Sequence, residues 1–133
     1  MKVVLDTNVL ISAFLFKGFA ALVYDHCEIN ETVYISPWIL QEFSDNLFYK
    51  FEVEEGKIRK FERKILFGGY NITPQAPLPD ISEDKDDNNI LQLADHVDAE
   101  FLITGDKGLL SLESYKDTSI VSPRYFYNHF IYR

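Results

Sequence analysis

Apolar residues along this chain fall into short continuous runs and into longer stretches with helical spacing. The runs at 2–5 and 101–103 are nearly continuous, which is typical of strands buried on both faces of a parallel sheet. Further strands are predicted at 33–35, 70–73 and 119–121. Helices are predicted at 8–16, 19–29, 37–47, 57–67, 88–97, 109–112 and from 124. Because strands and helices alternate, the pattern predicts an α/β fold with a central parallel sheet, right-handed crossovers and helices on both faces.

The third predicted helix has the clearest start signal. Ser36 offers a capping hydroxyl, and Pro37 suits the first helical position. Three apolar residues recur at helical spacing and are expected to face the core: Leu40, Phe43 and Leu47. Glu42 lies on a different stripe of the same helix and is therefore not expected to face the core.

Four acidic residues stand where a strand ends or a helix begins. Asp6 directly follows the first strand, and Asp106 follows the strand at 101–103 within the segment FLITGD. Glu42 and Asp87 belong to the segments SPWILQEF and DKDDNNILQLA. Ligands of open parallel sheets bind at the carboxyl ends of the strands, so the four acids are expected to share one pocket.

Several carboxylates in one pocket need a counter-charge. Two like charges about 4 Å apart repel by about 4 kcal/mol at an effective dielectric constant near 20. Either protons are taken up with raised pKa values, or a divalent cation neutralises the cluster. An all-oxygen ligand set suits Mg²⁺ or Mn²⁺, and such a site serves phosphodiester hydrolysis best.

Composition bounds the class of protein. The 133 residues predict a single domain over 1–133, and 47% hydrophobic residues are enough for a core. The net charge of −8 argues against a passive nucleic-acid-binding module, but less against a nuclease whose metal ions supply positive charge. The apolar runs are too short to cross a bilayer, and the N-terminus does not resemble a signal peptide. The single cysteine, Cys27, fits a reducing cytoplasm, so a cytoplasmic protein without membrane association is expected.

Four motifs in order, DTNVL, SPWILQE, DDNNILQLA and LITGDKGLL, resemble the PIN-domain family. The chain is most similar to the PIN-type ribonuclease toxins of prokaryotic toxin–antitoxin systems. The resemblance implies a three-layer α/β/α sandwich with a central mostly parallel sheet and one or two Mg²⁺ or Mn²⁺ ions. It also implies endonucleolytic cleavage of single-stranded RNA, a homodimer and a protein antitoxin as partner.

The resemblance assigns roles to particular residues. The four acids match the family's catalytic, metal-binding positions: Asp6, Glu42, Asp87 and Asp106. Three neighbours match the small polar residues around them: Thr7, Asn8 and Thr104. Thr104 is expected to hold Asp106 or a water. The chain departs from its relatives after Glu42, where they often carry a basic residue and this chain has Leu47-Phe48-Tyr49, with Lys50 nearby.

Simpler interpretations stand beside these. Asp6 could cap the following helix, Glu42 could be a solvated helix residue, and Asp106 could belong to an ordinary turn. The acids at 84, 86 and 87 could form an exposed loop that favours the helix start, and Asp84 and Asp86 are expected to face solvent. The aromatic residues at 125–132 could stack on bases, or could pack on the sheet or a second subunit.

The whole chain also has other possible functions. It could be a non-catalytic PIN-like or receiver-like interaction scaffold. It could equally be a PIN nuclease that processes RNA and is not a toxin.

Overall fold

The computed structural model describes residues 1–81 and 84–132. Within these ranges the strands are β1 (Lys2–Leu5), β2 (Thr32–Ile35), β3 (Tyr70–Asn71), β4 (Phe101–Ile103), β5 (Ser114–Tyr115) and β6 (Thr118–Val121). The helices are α1 (Thr7–Leu15), α2 (Phe19–Asn30), α3 (Pro37–Tyr49), α4 (Glu55–Gly68), α5 (Lys85–Val97), α6 (Lys107–Leu112) and α7 (Pro123–Phe126). A π-helical turn, Tyr127–Ile131, continues α7.

The strands form one sheet in the order β3-β2-β1-β4-β6-β5. β1 lies between β2 and β4 and is parallel to both, and within the described ranges only the β5–β6 pairing is antiparallel. Val3 and Val4 are fully buried and Leu5 nearly so, because helices cover both faces of the sheet. The predicted α/β/α sandwich with a mostly parallel sheet is confirmed.

The order of the strands changes direction at β1, and this change locates the edge of the sheet where a ligand is expected to bind. The chain moves from β1 to β2 and β3 on one side, and then crosses to β4 and β6 on the other. A crevice opens at the carboxyl ends of neighbouring strands where the order reverses. Here those ends are Leu5 of β1 and Ile103 of β4, which lie opposite each other in the register.

Aromatic packing holds the first four helices together. The Phe14 ring of α1 contacts Tyr24 of α2, Phe43 of α3 and Phe61 of α4, with centroids 5.1, 5.7 and 4.8 Å away. Phe43 and Leu47 are fully buried as predicted, and Leu40 is partly buried against the same core. This packing fixes the stripe of α3 that carries Glu42.

The start of α5 differs from the prediction. The sequence pattern places it at residue 88, whereas the helix begins at Lys85. The Asp84 side chain caps it by accepting a hydrogen bond from the Asp86 backbone N–H at 2.9 Å. Asp86 and Asp87 therefore lie in the first helical turn, where the helix dipole favours negative charge.

Gly69 directly follows α4 and lies close to the sheet. Its φ is −143°, which is extended backbone that any residue adopts. A Cβ at this position would lie 3.1 Å from the Val33 carbonyl oxygen of β2. A larger residue here would therefore require its neighbours to shift by a few tenths of an ångström.

The C-terminal aromatic residues pack on the sheet. Phe126 is fully buried, and the Phe101 ring of β4 contacts Phe126 and Phe130 with centroids 5.7 and 5.1 Å away. For these two residues the packing interpretation is confirmed. Over the described ranges, no single helix is long and apolar enough to span a membrane; α1 and α2 together meet that length and composition, but the pair is bent by 104°.

Candidate active site

Asp6 lies at the carboxyl end of β1, directly beside the end of β4. Its backbone N–H donates to the Ile103 carbonyl oxygen at 2.9 Å, which continues the parallel ladder by one residue. The side chain is only 4% exposed. It stands at the capping position of α1 and makes no capping hydrogen bond, so the interpretation of Asp6 as a helix cap is wrong. Its carboxylate is held by tertiary contacts instead.

Thr104 links two of the predicted acids. Its hydroxyl donates to Asp6 Oδ2 at 2.6 Å and accepts the Asp106 backbone N–H at 3.0 Å. Thr104 therefore holds Asp106 as expected, but by the backbone of Asp106. The carboxylate that Thr104 contacts is that of Asp6. Asp106 Oδ2 in turn accepts the Leu109 N–H at 2.8 Å and caps α6. One oxygen of Asp106 thus has a structural role.

The four predicted acids line one cavity of about 150 Å³ at this edge of the sheet. Six acidic residues contribute to its walls: Asp6, Glu42, Asp84, Asp86, Asp87 and Asp106. The other lining residues are Asn8, Asn46, Lys50 and Ile90. The structure therefore brings the predicted set together, with Thr7 buried beneath it and Asn8 in its wall.

Helix α3 contributes one complete stripe to the cavity. Three lining residues follow each other at intervals of four and therefore share one face: Glu42 and Asn46 of α3, and Lys50, which directly follows the helix. Sequence reasoning noted Lys50 but did not place it in the site, and it missed Asn46. The spacing of four from Glu42 is the signal that could have found both.

Asp84 and Asp86 are exposed, as predicted, and yet they line the cavity. Asp87 is 7% exposed. The three acids reach the same space because they occupy the cap and the first turn of α5, which points toward the ends of the strands. A predicted start of α5 at residue 85 would have indicated from the sequence that these three acids lie together.

Burial and mutual repulsion raise the pKa of two of these acids. For Asp6, burial raises the pKa most, the Thr104 hydrogen bond and the Thr7 backbone lower it, and the charges of Asp106 and Asp84 raise it further. For Glu42, burial again raises the pKa most, the Thr7 hydroxyl lowers it, and nearby carboxylates raise it. The cavity therefore favours uptake of positive charge, as protons or as a cation.

The donor set fits a hard divalent cation in its chemistry, because carboxylate and amide oxygens surround the cavity. The buried Thr7 hydroxyl is near enough to Glu42 to lower its pKa. It makes no well-formed hydrogen bond with any described residue. Among the described residues, no group of three acidic, histidine or cysteine side chains is arranged to hold one metal ion.

Comparison with known proteins defines the class. The sequence model described as "PIN domain" matches residues 2–108. The chain belongs to the PIN-domain family, and the predicted family is confirmed.

Two similar proteins extend the comparison. An uncharacterized protein of Methanocaldococcus jannaschii is 33% identical over an aligned length of 127, and the match covers 84% of this chain and 75% of that protein. The crystal structure of VapBC2 from Rickettsia felis, bound to a DNA fragment from its promoter, contains a similar chain with a TM-score of 0.66. That match is 15% identical and covers 92% of this chain and 98% of the other, so it supports the fold.

Proposed function

We propose that this protein is a metal-dependent endoribonuclease that hydrolyses phosphodiester bonds of single-stranded RNA. The observation that carries the proposal is the convergence of six acidic residues on one small cavity at the carboxyl ends of β1 and β4. Membership of the PIN-domain family supports it. No other described cavity combines this density of carboxylates with raised acid pKa values.

Asp6, Glu42, Asp87 and Asp106 would hold one or two Mg²⁺ or Mn²⁺ ions. When bound, such an ion supplies a Lewis acid for phosphate oxygens and lowers the pKa of a coordinated water. Thr104 fixes the direction of the Asp6 carboxylate, since its hydroxyl donates to Oδ2. Lys50 is the cation among the lining residues and would counter the charge of the RNA backbone.

The charge of the chain makes the cation necessary for this function. With a net charge of −8, the protein repels a polyanion at long range. Two positive charges can reduce that repulsion locally: a divalent ion among the carboxylates, and Lys50 in the wall of the cavity. The cleavage of RNA should therefore require the divalent ion, and the affinity for RNA should fall as salt rises.

The biological role that we favour is the toxin of a toxin–antitoxin pair, acting as a homodimer that a protein antitoxin silences. The likeness of the fold to a chain of the VapBC2 complex supports this role. An RNA-processing nuclease outside such a pair would use the same cavity. Co-purification with the product of a neighbouring reading frame would favour the toxin.

A second candidate, a non-catalytic interaction scaffold, is favoured by one specific observation. Two of the six acids that line the cavity have roles in the fold that need no metal, since the Asp106 side chain caps α6 and the Asp84 side chain caps α5. A scaffold would retain the acidic cavity without hydrolysing RNA there.

Cleavage of an RNA panel separates the two candidates. Purified protein is incubated with single-stranded and structured RNAs in Mn²⁺, in Mg²⁺ or in EDTA. We expect endonucleolytic cleavage of single-stranded regions with either ion and none in EDTA. Cleavage that persists in EDTA would contradict the metal requirement. Thermal stabilisation by Mn²⁺ without cleavage of any RNA would favour the scaffold.

Thr104→Val should lower the metal-dependent cleavage rate by about 10–100-fold, because groups that orient metal ligands contribute effects of this size. The substitution keeps the shape of the side chain but removes the donor to Asp6. Thr118→Val is the matched control, since Thr118 is also buried and donates to the Ala99 carbonyl at 2.7 Å away from the cavity. If the two variants lost equal activity, the effect would be general destabilisation.

A further inference from the structure

A second cavity of about 450 Å³ opens beside the acidic cavity and shares two residues with it, Asn8 and Asp106. We name it the flanking pocket. It extends toward α2 and α7, and four further residues matter for its chemistry: Ser12, Ala20, Lys107 and Pro123. None of these four is needed for the carboxylate site itself.

We infer that the flanking pocket binds the nucleotide next to the scissile phosphate, with its base against the apolar wall and its phosphate at Lys107. The inference rests on the proposed function and specifies where the RNA strand lies relative to the carboxylates. It also identifies residues that would decide which nucleotide is preferred at the cut site.

Charge distinguishes the two sides of the acidic cavity. On one side lies the flanking pocket, where Asp106 is the acidic lining residue and the exposed Lys107 is the basic one. On the other side lies a cavity of about 410 Å³. The described residues that line it include three acidic ones, Asp84, Asp87 and Asp106, and no basic one. A phosphate would be repelled there and attracted at Lys107. The strand should therefore leave the site through the flanking pocket.

The walls of the flanking pocket suit a nucleobase. Ala20 and Pro123 give it apolar surface, while the Ser12 hydroxyl and the Asn8 amide can form hydrogen bonds. Its volume falls within the range of about 300–1,000 Å³ that is usual for pockets that bind small organic groups. Gly105 also lines it, and a Cβ there would meet no atom within 4 Å, so the backbone is open to a ligand.

Ala20→Phe tests the pocket without touching any carboxylate, because Ala20 belongs to α2 and does not line the acidic cavity. Ala21→Phe is the matched control: Ala21 is the next residue, is also half-buried, and lines a separate cavity with Lys17 and Asp25. We expect Ala20→Phe to raise the KM for a short single-stranded RNA by about 10-fold and to change the preferred cut sites. Ala21→Phe should leave the KM and the cut sites unchanged.

Lys107→Gln tests the phosphate contact, with Lys17→Gln as the matched control in the separate cavity. Binding of a fluorescent single-stranded RNA is measured by anisotropy in EDTA at several salt concentrations, so that no cleavage is needed. The slope of log K against log salt should fall by about 0.7 for Lys107→Gln, the value for one lost contact with single-stranded nucleic acid. It should not change for Lys17→Gln.

The outcomes separate this inference from the proposed function. If the wild type cleaves RNA but Ala20→Phe behaves like Ala21→Phe, the flanking pocket is not the nucleotide site and the nuclease stands. If the wild type binds RNA without cleaving it, the proposed nuclease activity is wrong. The difference in RNA affinity between Ala20→Phe and Ala21→Phe then decides whether the flanking pocket binds RNA. If the wild type binds no RNA in EDTA or in Mn²⁺, both proposals are overturned.

Discussion

Asp6→Asn is expected to lower the rate of RNA cleavage by more than about 100-fold while making the metal-free protein more stable. The loss of rate should exceed the roughly 10–100-fold effect of residues that only orient metal ligands. The gain in stability arises because Asp6 is 4% exposed and lies near Asp106 and Asp84, whose charges repel its own. Asparagine keeps an oxygen that can accept the Thr104 hydrogen bond and carries no charge.

The pH dependence of this gain has a definite sign. Burial raises the pKa of Asp6 above its ordinary value of 3.8, so the folded protein retains this proton to higher pH than the unfolded chain does. The contribution of Asp6 to stability is therefore fully present below the unfolded pKa and is lost as pH rises through the folded pKa. At neutral pH the variant should be about 0.5–2 kcal/mol more stable than the wild type, and this advantage should disappear near pH 4.

Thermal unfolding in EDTA at several pH values, combined with cleavage in Mn²⁺, measures both effects. Asp25→Asn is the matched control, because Asp25 is exposed on α2 and lines a cavity remote from the carboxylates. It changes the net charge equally and should leave cleavage unaffected. Wild-type rates for Asp6→Asn would show that Asp6 is not a metal ligand.

The parts of the fold that sequence reasoning predicts best are those fixed by burial. β1 is buried from Val3 to Leu5 and β4 at Leu102 and Ile103, and a continuous apolar run has few alternatives to a central strand. β5 was missed because two residues carry no periodicity. It forms because Ser114 and Tyr115 pair with β6 across a two-residue turn at Lys116-Asp117, where Lys116 has a φ of 51° that no sequence pattern indicates.

The same distinction applies to the candidate site. Asp6 follows β1 directly and Asp106 follows β4 after two residues, so the ends of the strands set their positions and the sequence suffices to predict them. Asp84 and Asp86 depend on which acid caps α5, a choice that three nearby aspartates leave open in the sequence. Lys50, which directly follows α3, shares the helical spacing of Glu42, but only the packing of α3 shows that this stripe faces the cavity.

Mn²⁺ is expected to raise the melting temperature of the wild type strongly, and EDTA to reverse the change. An ion that binds only the folded state at 100 times its Kd stabilises it by about 2.7 kcal/mol. For a domain of this size that corresponds to roughly 5–15 °C. Burial raises the pKa of Asp6 and of Glu42, so protons compete with the ion. The gain should therefore be larger at pH 8 than at pH 5.5.

A pair of double variants decides whether this stabilisation comes from the cavity. Asp6→Asn with Asp87→Asn removes two of the proposed ligands, and Asp25→Asn with Asp45→Asn removes the same charge from exposed positions outside it. The first pair should abolish the shift with Mn²⁺, while the second should retain it. Equal shifts in both would mean that the ion binds elsewhere or screens charge generally. A shift confined to the intact cavity would mean that the ion binds at these carboxylates.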